Sequence, residues 1–170
     1  MSSAGLPRTV ALIGPMGAGK TKVGKRLARA LGRPFVDTDH RIVAEHGRIN
    51  DLFARHGEEG FRELERAAVE RALRENAVVS LGGGAVLHPD TRAQLADVAV
   101  IYLTVTEKAV LARINVDERP LLRDDPSAWG RIFEARRPLY EEVADVIFDT
   151  SVGPITRLGE DILAWAKENS

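Results

Sequence analysis

The stretch GPMGAGKT, residues 14–21, sets glycines, a lysine and a hydroxyl in the order G-x-x-x-x-G-K-[ST]. Gly14, Gly17 and Gly19 let a backbone wrap tightly with its N–H groups turned inward, and a helix starting at Lys20 adds partial positive charge. Lys20 could then reach β- and γ-phosphates, and the Thr21 hydroxyl could ligate Mg²⁺. The composition would yield this pattern by chance in about 0.3% of cases. The chemistry it points to is binding of a nucleoside triphosphate; it does not say what receives the phosphate.

Other residues could complete such chemistry. Asp37 and Asp39, in FVDTD, stand one residue apart behind a short apolar run. Each could simply serve a following helix, Asp37 as cap and Asp39 as a first-turn carboxylate. Beside a phosphate loop, a carboxylate ending a neighbouring strand can instead reach a Mg²⁺ shell. Arg62 and Glu65 share a helix face and could be no more than a surface pair. The glycines at 82–84 could be a tight turn, or could let backbone N–H groups approach a ligand where a Cβ would intrude.

These residues need a scaffold, and the chain alternates short β-branched runs with longer amphipathic ones, the pattern of α/β units around a parallel sheet. Strands are predicted at 9–14, 34–37, 77–81, 98–103 and 145–150. Helices are predicted from Lys20 to Leu31 with Gly32 as stop, from Thr38 to about His46, and over 57–76. Others begin at 88–96, at 107–114, from about Ala128 to Val143, and at about 154–168. Residues 115–130 are polar and long for a loop in a compact domain, which suggests a functional lid. Trp129 and Trp165 read as core anchors.

The length of 170 residues fits one domain, and a net charge of −1 argues against a general affinity for nucleic acid or anionic lipid. VAVIYLTV, at 98–105, is too short to span a bilayer, and the first ten residues have no signal-peptide core. With no cysteines and four scattered histidines, disulfides are excluded and a structural metal is not expected. Arginine outnumbers lysine 19 to 5, so each arginine needs its own context to count as a ligand.

Among phosphate-loop proteins, a GTPase switch would carry Asp-x-x-Gly and Asn-Lys-x-Asp elements, and the chain has neither. A mechanical ATPase would end a later core strand on an acidic residue; VAVIYLTV does not. A small-molecule kinase needs an acceptor pocket and a lid that excludes water, and candidates for both are present.

The ordered series GPMGAGKT, VGKRLA, DTD, GEEGFRELE, LGGGAV, RPLL and RRPLYEEVAD resembles the shikimate kinase family from about residue 10 to about 150. That resemblance implies a single nucleoside-monophosphate-kinase-like domain over 1–170. It would have a three-layer α/β fold with a five-stranded parallel sheet, a substrate-binding segment at about 38–66 and a lid at about 113–127. It implies transfer of the ATP γ-phosphoryl group to the 3-hydroxyl of shikimate, with Mg²⁺, on the way to chorismate and aromatic amino acids.

The resemblance also implies roles residue by residue. Gly17, Ala18, Gly19, Lys20, Thr21 and Lys22 would hold ATP, with Arg113 near adenine or the lid hinge and Pro154 flanking the base. Thr21 and Asp37 would hold the metal. Asp39, Arg62, Glu65, Gly82, Gly83, Gly84 and Arg136 would form the shikimate site, with Gly83 the best single glycine match. Arg62 and Arg136 would clamp the carboxylate, Glu65 would support the pocket, and Asp39 would orient the hydroxyl first and act as base second. Lys20, Asp39 and Arg119 would be catalytic, Arg119 as the lid arginine, while Arg137 stays solvated. A cytoplasmic monomer without nucleic-acid or membrane partners is expected.

The chain departs from the family pattern in three places. Lys22 stands where many members have a second hydroxyl, GRINDLF (47–53) is one residue shorter, and SVGPI (151–155) lacks basic residues that some members place beside adenine. The alternatives are a kinase for another hydroxy acid such as gluconate, and an inactive nucleotide-binding partner module.

Overall fold

The computed structural model describes residues 8–113, 125, 127–153 and 155–170. Five strands, β1 (Val10–Ile13), β2 (Phe35–Asp37), β3 (Val78–Ser80), β4 (Ala99–Thr104) and β5 (Val146–Asp149), form one parallel sheet in the order β2-β3-β1-β4-β5. The chain leaves β1 for one side of the sheet and later returns to fill the other. The crevice at the carboxyl end of β1, flanked by β3 and β4, is therefore the topological switch point where such folds bind ligands.

Side-chain alternation in the buried strands feeds two cores. Val10 and Leu12 face α1 (Lys20–Leu31) and the terminal helix α7 (Ile155–Asn169), while Ala11 and Ile13 face the opposite layer. That second layer contains α3 (Ile49–Leu73), α4 (Pro89–Leu95) and α6 (Ala128–Val143). Of the shorter helices, α2 (Thr38–His46) packs on α3 through Ile42, Leu52, Phe61 and Ala68, and α5 (Glu107–Arg113) places Val110 in the first core.

The five predicted strands and the Lys20–Leu31 helix with its Gly32 cap are all present, and Gly32 is left-handed at φ 68. One local expectation changes. Helix α3 begins at Ile49 rather than at 57, with non-helical Gly57 (φ 72, ψ 176) marking a kink between its two parts. The early part is amphipathic enough to bury Leu52 and to pack Ile49 and Phe53 against the small third cluster. As predicted, β2 ends at Asp37 and α2 runs from Thr38 to His46, so the chain turns from strand to helix between Asp37 and Asp39.

Candidate active site

The phosphate loop owes its shape to glycines with positive φ: 143 at Gly14, 84 at Gly17 and 93 at Gly19. Gly14 is also needed for space, since a Cβ there would sit 2.2 Å from the backbone oxygen of Leu103. Gly19 caps α1 in the left-handed region, so the helix amino terminus opens directly onto the loop. Lys20 folds back over it, its Nζ donating to Gly14 O at 2.7 Å and Pro15 O at 3.0 Å. Burial pushes the Lys20 ammonium down to about 8, with Arg136 acting in the same direction and Asp39 and Asp37 opposing it.

A cleft of about 1030 Å³ joins this loop to the ends of β2 and β3 and to one face of α6. Of the residues singled out above, Gly17, Gly19, Lys20, Thr21, Lys22, Asp37, Asp39, Gly82, Gly83 and Arg136 line it. Asp37 is the N-cap of α2, its Oδ1 accepting from His40 N at 3.2 Å. The cap is therefore real, and it engages one carboxylate oxygen in a residue that still faces the cleft. Asp39 shares the cleft, and burial together with the Asp37 charge raises its pKa against the pull of Lys20 and Arg62.

Thr38, between the two carboxylates, is fully buried and joins strands β2 and β3. Its hydroxyl oxygen accepts from Gly82 N at 3.2 Å and lies 3.4 Å from Ser80 O, to which the hydroxyl donates. One of the glycine N–H groups is thus already used inside the protein. Gly82 and Gly84 serve mainly to make room. A Cβ at Gly82 would lie 2.5 Å from Asp39 Oδ1, one at Gly83 3.4 Å from Arg136 Nη1, and one at Gly84 2.5 Å from Arg62 Nη1 and Nη2. Consecutive glycines thus face the acid and both arginines, and none of the three has a positive φ.

Arg62, Glu65 and Gly84 stand behind the lining rather than in it. Arg62 donates from Nη1 to Glu65 Oε1 at 2.8 Å and lies over the rings of Phe53 and Phe61, 5.7 and 5.4 Å from their centroids. Its Nε is buried with no hydrogen-bond partner. Glu65 is only 2% exposed; burial raises its pKa and the neighbouring guanidinium offsets part of that. Such a pair holds a guanidinium in one orientation, because a lone buried charge is costly.

Other expected residues are placed elsewhere. Ala18 is buried, its N–H bonding Pro15 O at 3.3 Å and its carbonyl accepting from Thr150 Oγ1 at 2.8 Å. Arg113, at the end of α5, donates to the Thr150 carbonyl and, at 3.3 Å, to its hydroxyl. Arg137 is exposed, paired loosely with Glu134. Arg119 and Pro154 lie outside the described residues, as does nearly all of the expected lid.

The sequence reading missed the site-building role of four side chains. Tyr140 is buried and donates to Gly83 O at 2.5 Å, burial pushing its phenol up to about 12. Phe53 and Phe61 stack at 4.5 Å beneath Arg62. Trp129, read only as a core anchor, is buried as expected but also donates from Nε1 to Met16 O at 2.8 Å. Tyr140 had a signal in the RRPLYEEVAD motif, and Phe61 lies inside GEEGFRELE; nothing local marked the other two.

A phosphate loop at a switch point, sharing one cleft with an acid and a guanidinium, defines a P-loop kinase of the small-molecule class. The family model for shikimate kinase matches residues 16–167. A shikimate kinase from Streptomyces coelicolor is 46% identical over 145 residues, covering 83% of this chain and 85% of the relative. The solved shikimate kinase from Acinetobacter baumannii, in complex with shikimate, superposes with a TM-score of 0.85 at 37% identity, covering 93% of this chain and 92% of that one. A gluconokinase from Sinorhizobium meliloti, at 19% identity and a TM-score of 0.59 over 95% of this chain and 93% of its own, shares the fold only. The chain belongs to the shikimate kinase family.

Proposed function

We propose that this chain transfers the γ-phosphoryl group of ATP to the 3-hydroxyl of shikimate, giving shikimate 3-phosphate and ADP, a step toward chorismate and the aromatic amino acids. The observation that carries this reading is the run Gly82–Gly84 beside a phosphate loop: missing Cβ atoms at 82 and 84 give space to Asp39 and Arg62, and Gly83 faces Arg136. Two guanidiniums and one carboxylate suit a small acid that also bears hydroxyls. The planar forks take the carboxylate, and the acid takes a hydroxyl hydrogen bond.

In this reading Gly17, Ala18 and Gly19 shape the cradle for the triphosphate, with Lys20 moving from the loop carbonyls to the β- and γ-phosphates. Lys22, Arg113 and Pro154 border the nucleotide. Thr21 and Asp37 offer a hydroxyl and a carboxylate on the cleft wall, hard oxygen ligands that suit Mg²⁺ held mainly by phosphates and water. When bound, that ion would supply positive charge that offsets the charge of the phosphates. Among the described residues no group of three or more acidic, histidine or cysteine side chains forms a separate metal site.

Asp39 orients the shikimate 3-hydroxyl toward the γ-phosphorus, and its raised pKa makes it a better proton acceptor than an ordinary carboxylate. The hydroxyl oxygen forms the new P–O bond as the bond to the β-phosphate oxygen breaks, and the hydroxyl proton passes to Asp39. Arg62, fixed by Glu65, and Arg136 hold the carboxylate, so most of the catalysis is positioning and charge stabilisation. Arg119, outside the described residues, is assigned by the family resemblance the role of adding positive charge at the transferring group. The segment at about 38–66 forms the acceptor side; Asn50 from its early helix already lines the cleft.

The protein is taken to act as a cytoplasmic monomer without nucleic-acid or membrane partners; no described helix is long and apolar enough to cross a membrane. Incubation with ATP, Mg²⁺ and shikimate, followed by phosphorus NMR of the products, tests the reaction. The expected product carries phosphate on the 3-oxygen. Phosphate on another hydroxyl, or only free phosphate, would reject the assignment.

A further inference from the structure

One face of α6 connects the two halves of the cleft. Trp129, Phe133 and Tyr140 form a ladder along it, with ring centroids 5.1 Å apart for the first pair and 6.4 Å for the second. Eleven residues are just over three turns, so Trp129 and Tyr140 share a side, their backbone positions about 16 Å apart along the helix axis. Each end of the ladder donates to a loop carbonyl: Trp129 Nε1 to Met16 O at 2.8 Å, Tyr140 Oη to Gly83 O at 2.5 Å. One loop carries the phosphate motif and the other faces the acid and the arginines.

The Trp129 bond orients a peptide that matters. In a trans peptide the carbonyl and the following N–H point in opposite directions. Holding Met16 O against the indole therefore turns the Gly17 N–H away from the core, at a residue that lines the cleft. The neighbouring carbonyls of Gly14 and Pro15 are held by Lys20, but that lysine must leave them to reach a phosphate. Met16, like Ala18 with its bond from Thr150, has a carbonyl whose donor can remain in place throughout, and the Met16 donor is the one carried by α6. The indole can remain because it is 4% exposed and packed in the core beneath the loop.

We propose that Trp129 is a positioning residue: its indole N–H holds the phosphate loop in the nucleotide-binding conformation and, through α6, in register with the acceptor loop. This rests on the reading of residues 14–21 as the nucleotide site. Losing one buried neutral hydrogen bond lets the loop populate other shapes, and the apparent affinity falls by the competent fraction, about fivefold to tenfold.

The test is calorimetric titration of ADP and, separately, shikimate into the wild-type protein and Trp129→Phe, with melting temperatures alongside. The expected result is about fivefold to tenfold weaker ADP binding with shikimate affinity within about twofold of wild type. Equal ADP affinity in the two proteins, or equal losses for both ligands, would overturn the proposal. Failure of the wild-type protein to bind ADP would instead reject the nucleotide-site reading beneath it. If the phenylalanine variant does not fold, benzothienylalanine at 129 exchanges only the N–H for sulfur and keeps the ring shape. ADP affinity unchanged by that exchange would likewise overturn the proposal.

Discussion

Gly84→Ala isolates the geometry of the acceptor site from the stability of the fold. The new methyl would sit 2.5 Å from Nη1 and Nη2 of Arg62 and 2.7 Å from its Cζ. Ordinary contact begins about 1 Å further out, so the guanidinium must retreat by about that much. The backbone resists nothing, since Gly84 has φ −96 and ψ 2, accessible to alanine. The retreat is mechanically easy because the colliding atoms end a long side chain. The loss falls on alignment: Arg62 is held by Glu65 at 2.8 Å and by two aromatic faces, and no longer points where a carboxylate would meet it. A charge-assisted hydrogen bond contributes about 1.5–3 kcal/mol, so shikimate should bind about tenfold to a hundredfold more weakly. At Gly83 the corresponding contacts are 3.4 Å to Arg136 and 3.7 Å to Tyr140, and a shift of a few tenths of an ångström relieves them. Gly83→Ala should therefore change shikimate affinity by less than about threefold. Calorimetry with shikimate, ADP titration as control and a melting curve for each variant would decide. Equal effects at 83 and 84, or wild-type shikimate affinity in Gly84→Ala, would refute the reasoning.

Three further outcomes follow from the same geometry. Asp37→Asn keeps a good helix cap, so the melting temperature should hold, while the Mg²⁺ concentration for half-maximal turnover rises; Asp37→Ala should lose about 1 kcal/mol of stability as well. An unchanged Mg²⁺ requirement in both variants would leave Asp37 as a cap alone. Asp39→Asn should cut turnover far more than ADP affinity, and wild-type turnover should decline in acid above the ordinary carboxylate range, because Asp39 must be ionised and its pKa is raised. Equal losses of ADP binding and turnover would contradict that division. Lys20 is charged below about 8 and neutral above it, so ADP affinity of the wild-type protein should fall as pH rises past about 8. The limiting slope is about tenfold per pH unit. A flat profile from neutral to alkaline pH would contradict a pairing of charged Lys20 with phosphate.

Much of the fold was legible in the sequence because its signals are local. The buried strands read as short apolar runs, Gly32 ends α1 where the periodicity stops, and the phosphate loop has its own spacing. The early part of α3 was not legible: GRINDLFARHG is polar apart from a few side chains, and its helicity depends on burying Leu52 and Phe53 against α2. The same limit applied to the site. Thr38 meets Gly82 across 44 residues, Tyr140 meets Gly83 across 57, and Trp129 meets Met16 across 113. No periodicity encodes such pairs. The two carboxylates of DTD, singled out by their spacing behind the apolar run, face one cleft. They stand at the junction where the strand ends and a helix begins, with Thr38 tying that junction to the glycine loop.

The central claim is that the cleft beside the phosphate loop receives shikimate. The most direct measurement is the rate of ADP release by the purified protein with ATP and Mg²⁺, in the presence of shikimate, of gluconate, or of neither. The account predicts saturable, shikimate-dependent release far above the rate with ATP alone, and no stimulation by gluconate. Release that ignores shikimate, or that gluconate stimulates instead, would contradict it.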